Sequence, residues 1–292
     1  MAKKTTFNGG TIDKYESSLK NCMANEESFT TISSGLSRKI VFTNGMKLRY
    51  FGSQNNNQLI EGAFLVQMVQ RDVDKYIANL GIPKFEKTPD VQQFNIAKIK
   101  NSIKSDKPLA VIGIDINACY WNVAYKLGYI SESLYERGLN LGKKKGLLIS
   151  IGCLNKLPII KKYEYGVLIE KTYDYQFHNQ YSPFYWNILA YTHDLMMESY
   201  GLFREDWYMF LTDCIFVDYK RRKDIQSFLE SKGFKFKMHQ IHFKSFENGK
   251  LDWFDFKDQS DKSIYAMNRD IEMTYPLWKI SKQQKYGTTK KD

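Results

Sequence analysis

Apolar residues recur every four positions at Leu65, Val69, Val73 and Ile77, and Gly81 follows them. That spacing predicts a helix over 59–80 with one buried stripe and a glycine stop. The segment KIVFTNGMKLRYFG (39–52) holds two strand-like runs around Asn44-Gly45, the strongest short hairpin signal. PLAVIGIDI (108–116) is a β-branched run opened by Pro108 and predicts a buried strand. In SPFYWNILAYTHDLMMESYG (182–201), Phe184, Ile188, Leu189, Leu195 and Met196 share one helical face. Ser182 is placed as its N-cap, Pro183 as its first helical residue and Gly201 as its end.

The same patterning gives helices over 91–103, 118–128, 131–152 and 221–232, with Gly128 and Gly233 as stops. Strands are expected over 163–177 and 234–243. Residues 1–30 are polar and rich in Lys, Thr, Asn and Ser, which predicts a flexible arm. In FLTDCIFVDY (210–219) an apolar run is broken once, by Thr212-Asp213, and then resumes. Asp favours tight turns, so this reads as two strands around a two-residue loop.

Composition adds a partner class. The 292 residues carry a net charge of +11, with 43% hydrophobic and 15% aromatic residues, enough to bury a core. Lysine and arginine cluster at Lys143–Lys145, Lys161-Lys162, Lys220–Lys223 and Lys290-Lys291, and aromatics interleave with them. Basic runs beside stacking rings suit nucleic acid, through backbone contact and base stacking. The alternative is a basic, solvated surface, in which Lys143–Lys145 form only a helix face and the aromatics of 163–177 only core. No stretch of ~18 apolar residues and no secretory leader is read, so a soluble, cytoplasmic protein with no membrane contact is expected. Cys22, Cys119, Cys153 and Cys214 have no CxxC spacing, and His239 and His242 would face opposite sides of a strand. A zinc site is not expected.

Asp115 and Asp213 each sit at the end of, or in a turn beside, a buried strand, far apart in sequence. Two such acids at one sheet end could share two cations with phosphate oxygens. Alone, Asp213 is a turn acid, and Asp218 reads as a solvated strand-end acid.

On these residues the chain resembles the palm of family B DNA polymerases, in their shortened viral or phage form, over roughly 108–268. DINACY (115–120) is similar to the family's first motif. The resemblance implies that Asp115 is a catalytic metal ligand, that Ile116 offers its carbonyl, and that Tyr120 packs under the incoming sugar. Tyr120 as plain helix core is the other reading. FLTDCIFVD is similar to the third motif; Asp213 matches its metal-binding acid, while Leu211 replaces the first acid and Cys214 the serine. KKKGLLISIGCLNK keeps Lys145 and Ser150 of the middle motif, which implies triphosphate contact by Lys145 or, in the neighbouring register, Lys144. DKSIYA implies primer-template contact by Lys262 and Tyr265. About thirty residues separate Asp115 from Lys145, leaving room only for very short fingers.

The expected fold is α+β: a palm-like antiparallel sheet with helices on one face, plus an N-terminal hairpin and helix subdomain. The expected division is an arm (1–30), that subdomain (31–105), the palm-like domain (106–270) and a basic tail (271–292). The function implied is DNA replication by a viral nucleotidyltransferase. It would bind DNA and dNTP and use two Mg²⁺ ions, or Mn²⁺, held by Asp115 and Asp213. One alternative is a non-catalytic nucleic-acid-binding protein, a replication accessory or virion component. Another is a nuclease or recombinase that uses the acids for strand cleavage.

Overall fold

The computed structural model describes residues 6–34, 37–51, 57–85, 89–103, 107–142, 144–266 and 269–287. The first residues of the expected arm, Lys143 and the Lys290-Lys291 tail lie outside them. The described residues form an α+β protein with two mostly antiparallel sheets.

In chain order the elements begin with β1 (Thr6–Gly10), α1 (Ile12–Ala24), β2 (Phe29–Ser34), β3 (Ser37–Phe42), β4 (Lys47–Phe51) and α2 (Asn57–Leu80). Then come β5 (Gln92–Phe94), α3 (Ile96–Ser102), β6 (Leu109–Ile116), α4 (Cys119–Lys126), α5 (Glu132–Asn140) and α6 (Lys144–Gly152). The pair β7 (Ile159–Glu164) and β8 (Val167–Tyr173) precedes the long α7 (Tyr175–Phe203). After it follow β9 (Trp207–Leu211), β10 (Cys214–Asp218), α8 (Arg222–Ser231), β11 (Phe236–Glu247), β12 (Lys250–Asp255), β13 (Ser260–Tyr265) and α9 (Ile271–Gly287).

The chain divides into two units, Met1–Lys87 with Tyr120–Ile188, and Thr88–Cys119 with Leu189–Asp292. The division expected at 30, 105 and 270 follows chain order, whereas each of these units joins two separate stretches of chain. The reason is non-local pairing: β7 joins the first sheet beside β2, so residues 159–173 belong with residues 6–51. The expected arm is also folded over much of its length. β1 pairs in parallel with β4, and α1 buries Tyr15 and Cys22. The expected basic tail starts as helix α9.

In the first unit the sheet order is β1-β4-β3-β2-β7-β8. One face packs Phe29, Ile40, Tyr50 and Tyr163 against Tyr15 and Cys22 of α1. The Asn44-Gly45 turn forms as read: Gly45 has φ +84°, and the Met46 amide donates to Asn44 Oδ1 at 2.9 Å. On α2, Leu65, Val69 and Val73 are fully buried. The single strand expected over 163–177 turns back at Tyr165-Gly166, where φ is +50° and +75°, and its last residues open α7. Asp174 caps that helix by accepting from the Phe177 amide at 2.9 Å. Ser182 and Pro183 therefore lie inside α7 and do not start it. An interior proline forfeits one helical hydrogen bond, which a long, buried helix tolerates.

In the second unit the order is β13-β12-β11-β6-β10-β9-β5, every neighbouring pair antiparallel. The sheet curls into a half-barrel. At its β5 edge, Phe94 bridges in parallel to Asp270, just beyond β13, and its amide donates to the Arg269 carbonyl at 2.9 Å. The interior is filled by Phe94, Ile99, Val111, Phe216, Phe243 and Trp253, among others. The opposite face buries Ile112, Ile114, Ile215 and Val217. There the second half of α7 meets β9: Trp207 Nε1 donates to Ser199 Oγ at 3.2 Å, and the Tyr200 ring meets Trp207 edge-on. Burial of both faces explains why β6 and β10 read as continuous apolar runs. Among the described residues no helix is long and apolar enough to cross a membrane.

Candidate functional site

β6 and β10 are neighbours, and Cys214 stands opposite Asp115 in their register. Asp213 is the residue before Cys214, in the two-residue loop joining β9 to β10. The Ile116 amide donates to the Asp213 carbonyl at 3.1 Å, and the Asn117 amide donates to the Lys235 carbonyl at 2.8 Å. These two bonds fix the end of β6 between its neighbours. The two acids therefore share one end of the half-barrel, one on a strand and one on the adjacent loop.

The backbone here is strained. Thr212 has φ +58° and Ala118 has φ +47°. A left-handed conformation at a β-branched residue costs about 1–3 kcal/mol and persists only where the surroundings over-determine it. The Thr212 amide is held by the Val91 carbonyl at 2.6 Å. Such outliers gather at functional sites more than elsewhere.

Asp115 alternates onto the interior face with Val111 and Gly113. Its Oδ2 lies 3.6 Å from Lys257 Nζ. His239 packs over Gly113: a Cβ there would stand 2.7 Å from the imidazole and 2.9 Å from the Phe216 ring. Asp255, almost fully buried, accepts from the Lys257 amide at 2.9 Å and from Lys262 Nζ at 2.7 Å. Lys262 also pairs with Asp258. Lys237, Met238, His239, Gln240, Phe256 and Lys257 line a pocket of about 350 Å³.

The electrostatics follow from burial and these partners. Burial acts to raise the Asp255 carboxyl, but Lys262, the Lys257 amide and His239 together hold it below the ordinary range. Burial lowers His239, against the pull of Asp255 and Asp115, so the ring is neutral near pH 7. Burial, then the charges of Asp115 and Asp213, push the Cys214 thiol well up. No reactive thiolate is available there.

Of the residues singled out from sequence, the fold brings Asp115, Ile116 and Asp213 together. Ile116 is fully buried. Lys262 and Tyr265 lie on β13 of the same unit; Lys262 is occupied by two carboxylates, and Tyr265 is 64% exposed. Tyr120 is half-buried near the start of α4, and Lys144 and Lys145 are exposed at the start of α6. These three belong to the first unit. In the lysine-arginine run, Lys220 and Arg221 both pair with the buried Asp206, each at 2.7 Å, and Asp218 accepts from the Lys220 amide at 3.0 Å. Sequence reasoning missed Asp255 and Lys257 and weighed His239 only as a zinc ligand. Period-2 alternation in FKFKMHQIHF would have put His239 on the face of Lys237 and Ile241.

Among the described residues no three His, Cys, Asp or Glu side chains are grouped to hold a metal ion. Compared with protein-family models, curated proteins and solved structures, the chain shows no significant match.

Proposed function

We propose that the chain is a polymerase-like nucleotidyltransferase acting on nucleic acid, with Asp115 and Asp213 as its metal-holding pair. The observation that carries this reading is the placement of both acids at one end of adjacent strands, locked by the Ile116–Asp213 backbone bond. The donor set suits a hard cation such as Mg²⁺: two carboxylates, with the one neighbouring thiol kept protonated. Lys257 beside Asp115 is a further sign that this carboxylate draws a cation. Bound there, two Mg²⁺ ions would polarise the phosphate and activate a primer hydroxyl. The chain's own part is to hold one oxygen donor on β6 and the other on the strained loop beside it. Its basic surface then supplies the attraction for a polyanion.

A second reading, a nucleic-acid-binding protein without catalysis, is favoured by one feature. Leu211 stands where the polymerase resemblance calls for a further acid. Primer extension and strand cleavage with Mg²⁺ or Mn²⁺ separate the two. Under the first reading, Asp213→Asn abolishes extension and leaves binding intact or slightly tighter. A wild-type protein that binds nucleic acid but extends, transfers and cleaves nothing would establish the second.

A further inference from the structure

The first unit has a cavity of about 110 Å³ between one face of its sheet and α2, lined in part by Ser34, Ser37, Lys39, Arg49, Gln67 and Gln70. Lys39 on β3 stands directly opposite Arg49 on β4. Like charges directly opposed across a ladder destabilise a sheet. Lys47, also on β4, adds to the same positive field. Among the described residues neither Lys39 nor Arg49 has an ion-pair partner, and the buried Arg49 Nε has no hydrogen-bond partner at all. Burial, and then the neighbouring Arg49 and Lys47 charges, lower the Lys39 pKa, with Asp174 opposing only weakly. A water molecule could accept from Arg49 Nε, but it would leave the repulsion untouched.

Two opposed cations and an orphaned donor in one cavity are satisfied together by a dianion. We infer that this cavity binds the terminal phosphate of a phosphomonoester, held between Lys39 and Arg49. A phosphomonoester carries nearly two negative charges at neutral pH, matching the pair, whereas a carboxylate or phosphodiester carries one. Ser34 and Ser37 supply hydroxyl donors, and Gln67 and Gln70 supply amides. Ile32, Phe51, Val66 and Phe177 are the apolar part of the lining. The space approaches the ~150 Å³ that holds one benzene, so only the phosphate and its first attached atoms enter. Two sources share this chemistry: the 5′-phosphate end of a nucleic-acid strand, and a free nucleoside monophosphate. The inference does not rest on the acid pair, which lies in the other unit.

Calorimetric titration of the full chain tests it, with inorganic phosphate, a nucleoside 5′-monophosphate, and one oligonucleotide made with and without its 5′-phosphate. Inorganic phosphate and the monophosphate are expected to bind one to one. Arg49→Met and Lys39→Met should each weaken them on the order of tenfold or more, as expected for losing a charge-assisted contact. Arg49→Lys, which keeps the charge, should recover part of the loss. With no phosphate present, Arg49→Met should melt at or above the wild-type temperature, because the repulsion is gone. Preference for the 5′-phosphorylated oligonucleotide over its hydroxyl twin identifies a strand end as the source. Equal oligonucleotide binding with tight monophosphate binding identifies a free small molecule. Failure of every phosphomonoester to bind wild type, or equal binding by folded Met variants, overturns the inference.

Discussion

Cys214 faces Asp115 across the β6–β10 ladder, with Asp213 as its chain neighbour. A thiol in that position cannot ionise without placing a third negative charge beside two carboxylates, inside a buried strand. Native Cys214 is therefore expected to be alkylated by iodoacetamide at pH 8 only as fast as the second unit unfolds. Peptide mass spectrometry over a time course checks this. Rapid labelling of folded protein would mean that the thiol is ionised and reachable.

Gly113 has no room for a side chain. Gly113→Ala should destabilise the chain by about 1–3 kcal/mol, the usual cost of overpacking a well-filled core. His239→Ala in the same background should return part of that loss, because the imbalance is one of space. Urea unfolding of the single and double variants measures both.

Thr212 carries the opposite kind of strain. Thr212→Gly is expected to stabilise by about 1 kcal/mol, since relief of a left-handed β-branched residue exceeds the added entropy of glycine. A lower melting temperature for this variant would show that the threonine side chain is held by more than its backbone.

Stability should fall with acid in two windows. His239 has a folded pKa below its unfolded value of ~6.5. The unfolded chain therefore takes the proton first, and stability present above pH ~6.5 declines as pH drops toward the folded value. The carboxyls of Asp206, Asp255 and Glu272 are held below their ordinary range. Their contribution is full above pH ~4 and is lost as pH falls through their folded values. Melting temperature against pH should show both declines. His239→Gln should remove much of the upper one and Asp255→Asn should soften the lower.

If the lysines at the start of α6 touch phosphate, affinity for nucleic acid should fall linearly on a log–log plot against salt. Replacing Lys144 and Lys145 by alanine should then reduce the slope by about 0.7–0.9 per lysine. An unchanged slope would return them to the solvated face of a helix.

The elements legible in the sequence were those with local signals. Asn44-Gly45 marks its own turn, the stripe of α2 is one helical period, and Thr212-Asp213 interrupts an apolar run at the point where the chain reverses. The start of α7 was misplaced because Ser182-Pro183 mimics a helix beginning, while the true cap, Asp174, sits in a stretch that looks extended. The joining of β7 to β2 left no local trace at all. The same holds at the candidate site. Asp115 and Asp213 stand out because each is an acid against an apolar background. His239, Asp255 and Lys257 acquire their neighbours only from the register of β11 and β12.

The chain leaves the first unit after Lys87, returns at Tyr120 and leaves again after Ile188. Synthesis runs in one direction, so this path sets an order of events on the ribosome. β6 emerges with both faces apolar, yet its two ladder partners, β10 and β11, lie about a hundred residues further on. At ~5–20 residues per second the strand waits for several seconds or more with its edges unpaired. The first sheet, meanwhile, cannot close until β8 has appeared. A nascent chain arrested between residues 120 and 165 would carry one incomplete sheet and one orphaned apolar strand. That is the interval in which a chaperone would find most to hold.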